Sequence, residues 1–276
     1  MRRGLAPESV RVRVRIVRRF AAWIAPRHLL GATASEVEAF LDAAGPLSAR
    51  TRYCYVSHLH RFYDWAVNAG HLIADPTQTV IRPRLRPYLP RPAADVDVAL
   101  ALELSTGAAG VMVHLAALAG LRCIEIARLA RADVRDAQGR PALYVLGKGD
   151  KPRHVPLHAR ALEVLRALPM PHSGPILTRA DGQAYEPWGV SQAGNAALRD
   201  AGVAATMHQL RHWYGTNLYR TSGRDILLVR DLMGHSSVLT TQGYVAADRA
   251  GAAEAVALLA DELGQAPIDV PLPLDF

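Results

Sequence analysis

Four short stretches of this sequence carry side chains of types suited to chemistry on an anion. In "AGLRCIEIARL" (119–129), Arg122 follows Gly120 and precedes Glu125 by three residues. A carboxylate at that spacing can orient a guanidinium, which makes the pair either a buried structural ion pair or a preorganised anion clamp. "GRPALYVLGKGDKPRHVPL" (139–157) holds both lysines, Lys148 and Lys151, of a chain that has 30 arginines. Arginine keeps its proton near neutral pH, whereas a perturbed lysine can give it up. Lys148 lies between two glycines, where backbone can approach a ligand closely; ordinary turn composition accounts for it equally. In "TMHQLRHWYGTNL" (206–218), Thr206 and Gln209 form a capping-box signature that starts a helix at Thr206. His208 and Arg211 then share one face of the first turn, where free N–H groups and the helix dipole favour an anion; a plain surface pair has the same pattern. His208 and His212 also have the spacing of a zinc-binding helix. Gln209, however, stands where such a helix needs a glutamate, and no third ligand presents itself. Finally, "GHSSVLTTQGY" (234–244) sets His235 nine residues before Tyr244. One continuous helix would hold them on opposite faces, roughly 13 Å apart along its axis. A bend is therefore expected: Ser236 or Ser237 caps a short helix, Gly243 breaks it, and Tyr244 starts a new direction.

The elements that must position these groups are mostly helical. Leu and Ala dominate and strand-like runs are short. Residues 8–25 alternate Arg and Val as a strand would, but Val10, Val14, Val17, Ala21 and Ile24 recur at helical spacing, and the run is too long for an ordinary strand. Further helices are expected at 35–43 and from Ser48 to Ala69, the latter with Tyr55, Leu59, Phe62 and Ala66 on one face and Gly70 as its stop. The first domain is thus a helical bundle over residues 1–81. "RPRLRPYLPRP" (82–92) contains four prolines that forbid a helix and four arginines, and reads as a stiff basic linker. The second domain, 93–247, is expected to hold helices at 94–106, 109–119, 122–130, 158–168, 188–201, 207–221 and 225–233, with a β-hairpin over 139–157 around "GKGDK". A last helix is expected at 248–263, within a tail that runs to 276.

Composition narrows the function classes. Residues 1–92 carry 15 arginines and 6 acids, residues 93–244 a net +3, and residues 245–276 a net −5. A basic first domain suits a polyanion, because neutralising phosphates releases counterions. The acidic tail suits protein instead. The longest apolar runs are too short to span a bilayer, and "MRRGLAPESVRVRVR" lacks the apolar core of a signal peptide. Two cysteines, Cys54 and Cys123, make neither a disulfide framework nor a four-cysteine metal site. A reducing cytoplasm is the expected compartment.

Together the four stretches would surround one anion with two arginines, two histidines and a lysine, with a tyrosine beside it. This ordered set closely resembles the tyrosine recombinase (phage integrase) family. The resemblance rests on "GLRCIE", "GKGDKPRHVP", "HQLRH" and "MGHSSVLTTQGY", with local departures only at Ala119 and Met233. It also covers the first domain, through "TRYCYVSHLHRFYDWAVNAG". The implied fold is mainly α: an N-terminal helical core-binding (SAM-like) bundle, and an α+β catalytic domain with a small antiparallel sheet. The implied form is a compact, Xer-like, two-domain recombinase without an arm-binding domain. The implied activity is site-specific DNA cleavage and rejoining, with no cofactor and no metal. By resemblance, Tyr244 attacks to give a 3′-phosphotyrosine link, Arg122 and Arg211 clamp nonbridging oxygens, His208 and His235 add donors, and Lys148 protonates the leaving 5′ oxygen. Glu125 supports Arg122. The implied partners are double-stranded DNA and three further copies in a tetrameric synaptic complex, with residues 248–276 passed to a neighbouring subunit. Rival readings are a type IB topoisomerase-like relaxing enzyme, a non-catalytic DNA-binding protein of this fold, and a zinc hydrolase on His208 and His212.

Overall fold

The computed structural model describes residues 7–85, 89–147, 151–169, 171, 173–235 and 237–247. Lys148, Ser236 and the expected helix and tail over 248–276 lie outside the described residues. The chain divides into two compact units, Met1–Pro87 and Tyr88–Phe276.

The first unit is built on α1 (Pro7–Ile24), α2 (Ala34–Ala43) and α3 (Ala49–Asn68). The alternating Arg–Val run is a helix, as its length required, but its buried stripe is Ile16, Phe20 and Ile24, four residues apart. Val10 and Val14, expected on that stripe, are 43% and 40% exposed: Val12 packs against the core in line with Ile16, and positions two residues away, at about 100° per residue, face the other side of the helix. A capping box of Thr33 and Glu36 starts α2, and Ser48 caps α3. α3 buries Val56, Leu59, Tyr63 and Ala66, one step round from the expected face. Phe20 and Phe40 pack at 5.1 Å between ring centroids, and the Tyr63 hydroxyl donates to the Leu29 carbonyl at 2.8 Å. The described residues of the proline-rich segment, 82–85 and 89–92, form neither helix nor strand.

The second unit runs α4 (Asp95–Leu104), α5 (Gly107–Leu118), α6 (Cys123–Arg128), β1 (Val134–Ala137), β2 (Arg140–Leu146), β3 (Pro152–Pro156), α7 (Ala159–Arg166), α8 (Pro187–Asp200), α9 (Met207–Thr221), α10 (Ile226–Met233) and α11 (Val238–Ala247). α5 is its axis: Gly110–Ala117 are all buried, and α4, α7, α8 and α9 pack around it. That explains why its sequence is apolar on every side. The sheet is antiparallel in the order β1-β2-β3, with Leu143 opposite Val155 and Val145 opposite Arg153. The expected hairpin is its β2–β3 part. β1 was not foreseen, because "VRDA" is polar and its two-residue turn uses Gln138 and Gly139, both at positive φ (58° and 77°), in place of the usual Asn-Gly or Asp-Gly. Among the described residues, no helix is long and apolar enough to cross a membrane.

Candidate active site

Glu125 is the point on which the site converges. α5 ends at Leu118, and Gly120 turns the chain with φ of 60°, so that Arg122 becomes the N-cap of α6. Glycine is needed at 120 for a second reason: a Cβ there would lie 2.3 Å from the Tyr214 ring. The Glu125 carboxylate accepts from the Arg122 backbone N–H at 2.8 Å and from Arg122 Nη1 at 3.0 Å. The i, i+3 spacing therefore both caps the helix and forms the ion pair. β3 brings Arg153, whose Nη1 and Nη2 each donate to one Glu125 oxygen at 3.0 Å. α9 brings Arg211 within 3.8 Å of the same carboxylate. Burial works against the Glu125 charge, yet the bonds and charge of Arg153, the Arg122 N–H and the charge of Arg211 outweigh it and hold the pKa below the ordinary 4.5. Burial, then the charge of Arg122, push the Arg211 pKa down; a guanidinium nevertheless stays charged at neutral pH.

The arginines also grip the end of α10. Arg211 Nη1 donates to the Gly120 carbonyl and Nη2 to the Met233 carbonyl at 2.6 Å. Arg122 Nη2 donates to the Gly234 carbonyl at 3.0 Å. Gly234 closes α10 in the left-handed conformation (φ 61°), its N–H and that of His235 bonding back to carbonyls of the last turn.

The chain turns at Gly234, directly before His235, and α11 starts only at Val238, so His235 lies outside the helix that carries Tyr244. The expected break at Gly243 is not there: α11 runs through it to Ala247. A glycine inside a helix costs only about 1 kcal/mol, and the helix gains by burying Thr241 and Tyr244, 0% and 1% exposed, one turn apart. α11 lies back against His235, whose Nδ1 meets Thr241 Oγ1 at 3.0 Å. The His235 ring lies parallel to the Tyr244 ring, 6.2 Å between centroids. His235 Nε2 is 3.5 Å from Arg211 Nη2. An arginine can only donate there, which leaves the ring proton on Nδ1, facing Thr241. Desolvation, then the charges of Arg211 and Arg122, pull the His235 pKa down to about 3.

Tyr244 is stored against α9. Its hydroxyl lies 3.1 Å from His212 Nδ1, and its ring sits where a Cβ on Gly215 would come within 2.6 Å of Cζ. His212 is buried, with its pKa lowered to about 4 by desolvation, then by His208 and Arg211. His208 stands edge-on to His212, ring centroids 4.3 Å apart, at the exposed start of α9. Thr206 and Gln209 form the expected capping box there. Desolvation, then Arg211 and Arg122, lower the His208 pKa.

Of the six residues singled out in the sequence, the structure joins Arg122, Arg211 and His235 through hydrogen bonds and Glu125, and stacks Tyr244 on His235. His208 adjoins them through His212. Lys148 lies outside the described residues. Two participants escaped the sequence reading. His212 was weighed only as a metal ligand, although its place four residues after His208 put it on the same face. Arg153 lay in the lysine-bearing hairpin, where alternation along β3 could have marked it as inward-facing. Among the described residues, three guanidiniums share one carboxylate. Two positive charges are left over, held in a largely dry setting beside neutral imidazoles and a phenol. Such a set can bind a phosphodiester and stabilise charge that builds on its oxygens.

The phage integrase family matches residues 104–250. Tyrosine recombinase XerC of Proteus mirabilis is 31% identical over 224 residues, 74% of this chain and 69% of that protein. XerC of Rhodospirillum centenum is 31% identical over 246 residues, 83% of this chain and 67% of that protein. Among solved structures, XerH site-specific recombinase bound to palindromic difH substrate, in its post-cleavage complex, gives a TM-score of 0.73 at 19% identity over 91% of this chain and 80% of that chain. A lambda integrase (75–356) dimer bound to a COC' core site gives 0.69 at 20% identity, over 88% of this chain and 90% of that one. At that identity the structural likeness speaks for the fold, and the sequence relationship speaks for the family. The chain belongs to the phage integrase family and is a tyrosine recombinase.

Proposed function

We propose that this recombinase cleaves and rejoins duplex DNA at a specific site through a covalent 3′-phosphotyrosine on Tyr244. The observation that carries the reading is the surplus of two positive charges over the Glu125 carboxylate, next to the buried phenol. A phosphodiester brings one negative charge and its pentacoordinate transition state about two. Arg122 and Arg211 are assigned to the nonbridging oxygens and His235 to a further contact. The Tyr244 oxygen bonds to phosphorus as the bond from phosphorus to the 5′ oxygen breaks. The phenolic proton passes to His208, whose lowered pKa keeps it neutral and able to accept. Lys148 supplies a proton to the 5′ oxygen. Resealing is the reverse, with a 5′-hydroxyl attacking the phosphotyrosine, so the bond energy is conserved.

The reading adds a conformational requirement. At 1% exposure, Tyr244 does not meet a phosphate where it lies. α11 must shift to deliver it, and His212 holds the hydroxyl until then. Residues 248–276, docked on a neighbouring subunit, are proposed to drive that shift. Residues 1–81 are assigned to core-site binding, 82–92 to the linker and 93–247 to catalysis. The partners are duplex DNA and three further copies in the synaptic complex, consistent with the DNA-bound dimeric and tetrameric assemblies of lambda integrase.

The test is to trap protein–DNA adducts on DNA of the source genome, map the junctions, and rebuild the recovered site as a nicked suicide duplex. The expected result is a covalent adduct that Tyr244→Phe abolishes. No adduct, or one that persists in Tyr244→Phe, overturns the reading. Relaxation of supercoiled plasmid with no exchange between paired sites replaces it with a topoisomerase.

A further inference from the structure

Arg153 is the third guanidinium of the cluster, and nothing in the cleavage chemistry above uses it. Its side chain is 9% exposed, against 32% for Arg122. It holds Glu125 through two parallel bonds and donates from Nε to the Leu232 carbonyl at 2.9 Å. Three successive carbonyls at the end of α10 are thus taken by three different arginines: Leu232 by Arg153, Met233 by Arg211 and Gly234 by Arg122. These are among the carbonyls a helix end leaves without an intrahelical partner, at the negative end of its dipole. The Arg153 guanidinium is also seated against glycine on two sides. A Cβ on Gly234 would lie 2.7 Å from Nη1 and 2.9 Å from Cζ; one on Gly147 would lie 3.5 Å from Nη1. Gly234 immediately precedes His235, and Gly147 immediately precedes Lys148.

We propose that Arg153 is a positioning residue of the strand-cleavage site: it never touches the phosphate, but fixes Glu125 against the end of α10 so that Arg122, Arg211 and His235 address one phosphate. The proposal rests on the phosphotyrosine reading above. The geometry calls for an arginine. Two N–H groups go to the two carboxylate oxygens and a third, in the same plane, goes to a carbonyl from another element. A lysine ammonium is a single point on a flexible stem and cannot hold both partners in that plane. Without the fork, Glu125 and α10 are tied only through Arg122 and Arg211, the groups that the phosphate needs. A displacement of about 1 Å in such a constellation can cost roughly 100-fold in rate.

The experiment uses full-length Arg153→Lys and Arg153→Met on the nicked duplex recovered from adduct mapping. Duplex affinity and the single-turnover rate of adduct formation are measured separately. A second duplex carries a methylphosphonate at the scissile position, in which an uncharged methyl replaces a nonbridging oxygen and demand on the arginine clamp falls. Expected are affinities within about 3-fold of wild type, with a rate loss of roughly 100-fold on the phosphodiester for both variants. On the methylphosphonate that loss should shrink to less than about 10-fold, since the chemistry no longer leans on the misplaced charges. An unchanged rate overturns the proposal, and so does an equal loss on both substrates. If Arg153→Met does not fold, Arg153→Lys decides; failure of both to fold overturns the proposal in favour of a purely structural arginine. Absence of adduct with wild-type protein would instead count against the cleavage reading.

Discussion

Replacing Glu125 by Gln removes one charge from the centre of the arginine cluster with almost no change in volume. The carboxylate, 7% exposed, accepts four N–H groups at 2.8–3.0 Å: two from Arg153, one from the Arg122 side chain and one from its backbone. A Gln amide keeps one oxygen and turns an NH2 towards guanidinium donors. About two charge-assisted bonds are lost, at ~1.5–3 kcal/mol each, which agrees with ~3–5 kcal/mol for leaving a buried charge without its partner. For a unit of this size that lowers Tm by roughly 6–20 °C. The pH dependence has a defined sign. The folded-state pKa of Glu125 lies below its ordinary 4.5, so its contribution is fully present above that value and is lost as pH falls through the folded pKa. The melting gap between wild type and Glu125→Gln should therefore be wide at pH 7 and narrow progressively as pH falls below 4.5. Sulfate should raise the Tm of the variant more than that of wild type, by occupying arginines left without a counter-charge. Calorimetric scans at pH 7 and at low pH, with and without sulfate, provide the measurement. A variant melting within about 1 °C of wild type at pH 7 would refute the claim that Glu125 holds the arginines together.

Gly234→Ala places a Cβ 2.7 Å from Arg153 Nη1 at a φ of 61°; the left-handed backbone alone costs ~1–2 kcal/mol, so the expected outcome is a lower Tm and slower adduct formation, read by calorimetry and on the nicked duplex. Gly215→Ala pushes a methyl to within 2.6 Å of both Met233 and Tyr244; hydrogen exchange should show α11 amides opening faster than in wild type, and unchanged protection there would refute the storage slot. Tyr244→Phe should abolish the adduct while lowering stability by only about 0.5–1.5 kcal/mol, the value of its bond to His212. His235 and His212 have folded-state pKa values of about 3 and about 4, below the ordinary 6.5. The unfolded chain therefore takes up protons first, and stability should fall as pH drops from 6.5 towards 4; His212→Asn should flatten that slope in pH-dependent melts.

Periodicity and capping signals were enough to read the helices of both units except α11, which the expected break at Gly243 cut short. Apolar spacing reflects which face a helix must bury, and Thr206 with Gln209 leaves little choice of where α9 starts. The chemical inventory was legible for a similar reason: Arg122 with Glu125, the "HQLRH" stretch and the final His and Tyr are local patterns. What the sequence could not show is which groups meet across long separations. Arg153 reaches Glu125 across 28 residues, and Arg122 reaches Gly234 across 112. No local pattern encodes those pairings; the packing of β3, α6 and α10 makes them. The bend before Tyr244 was misplaced for the same cause. A glycine breaks a helix only where tertiary packing does not repay its cost. Burial of Thr241 and Tyr244 carries α11 through Gly243, while the left-handed end of α10 puts the turn at Gly234. Sequence alone offered Arg122, Glu125, His208, Arg211, His235 and Tyr244 as candidates, because their patterns are local; the fold added Arg153 and His212, and decided that three arginines share one carboxylate and that the tyrosine lies buried against His212.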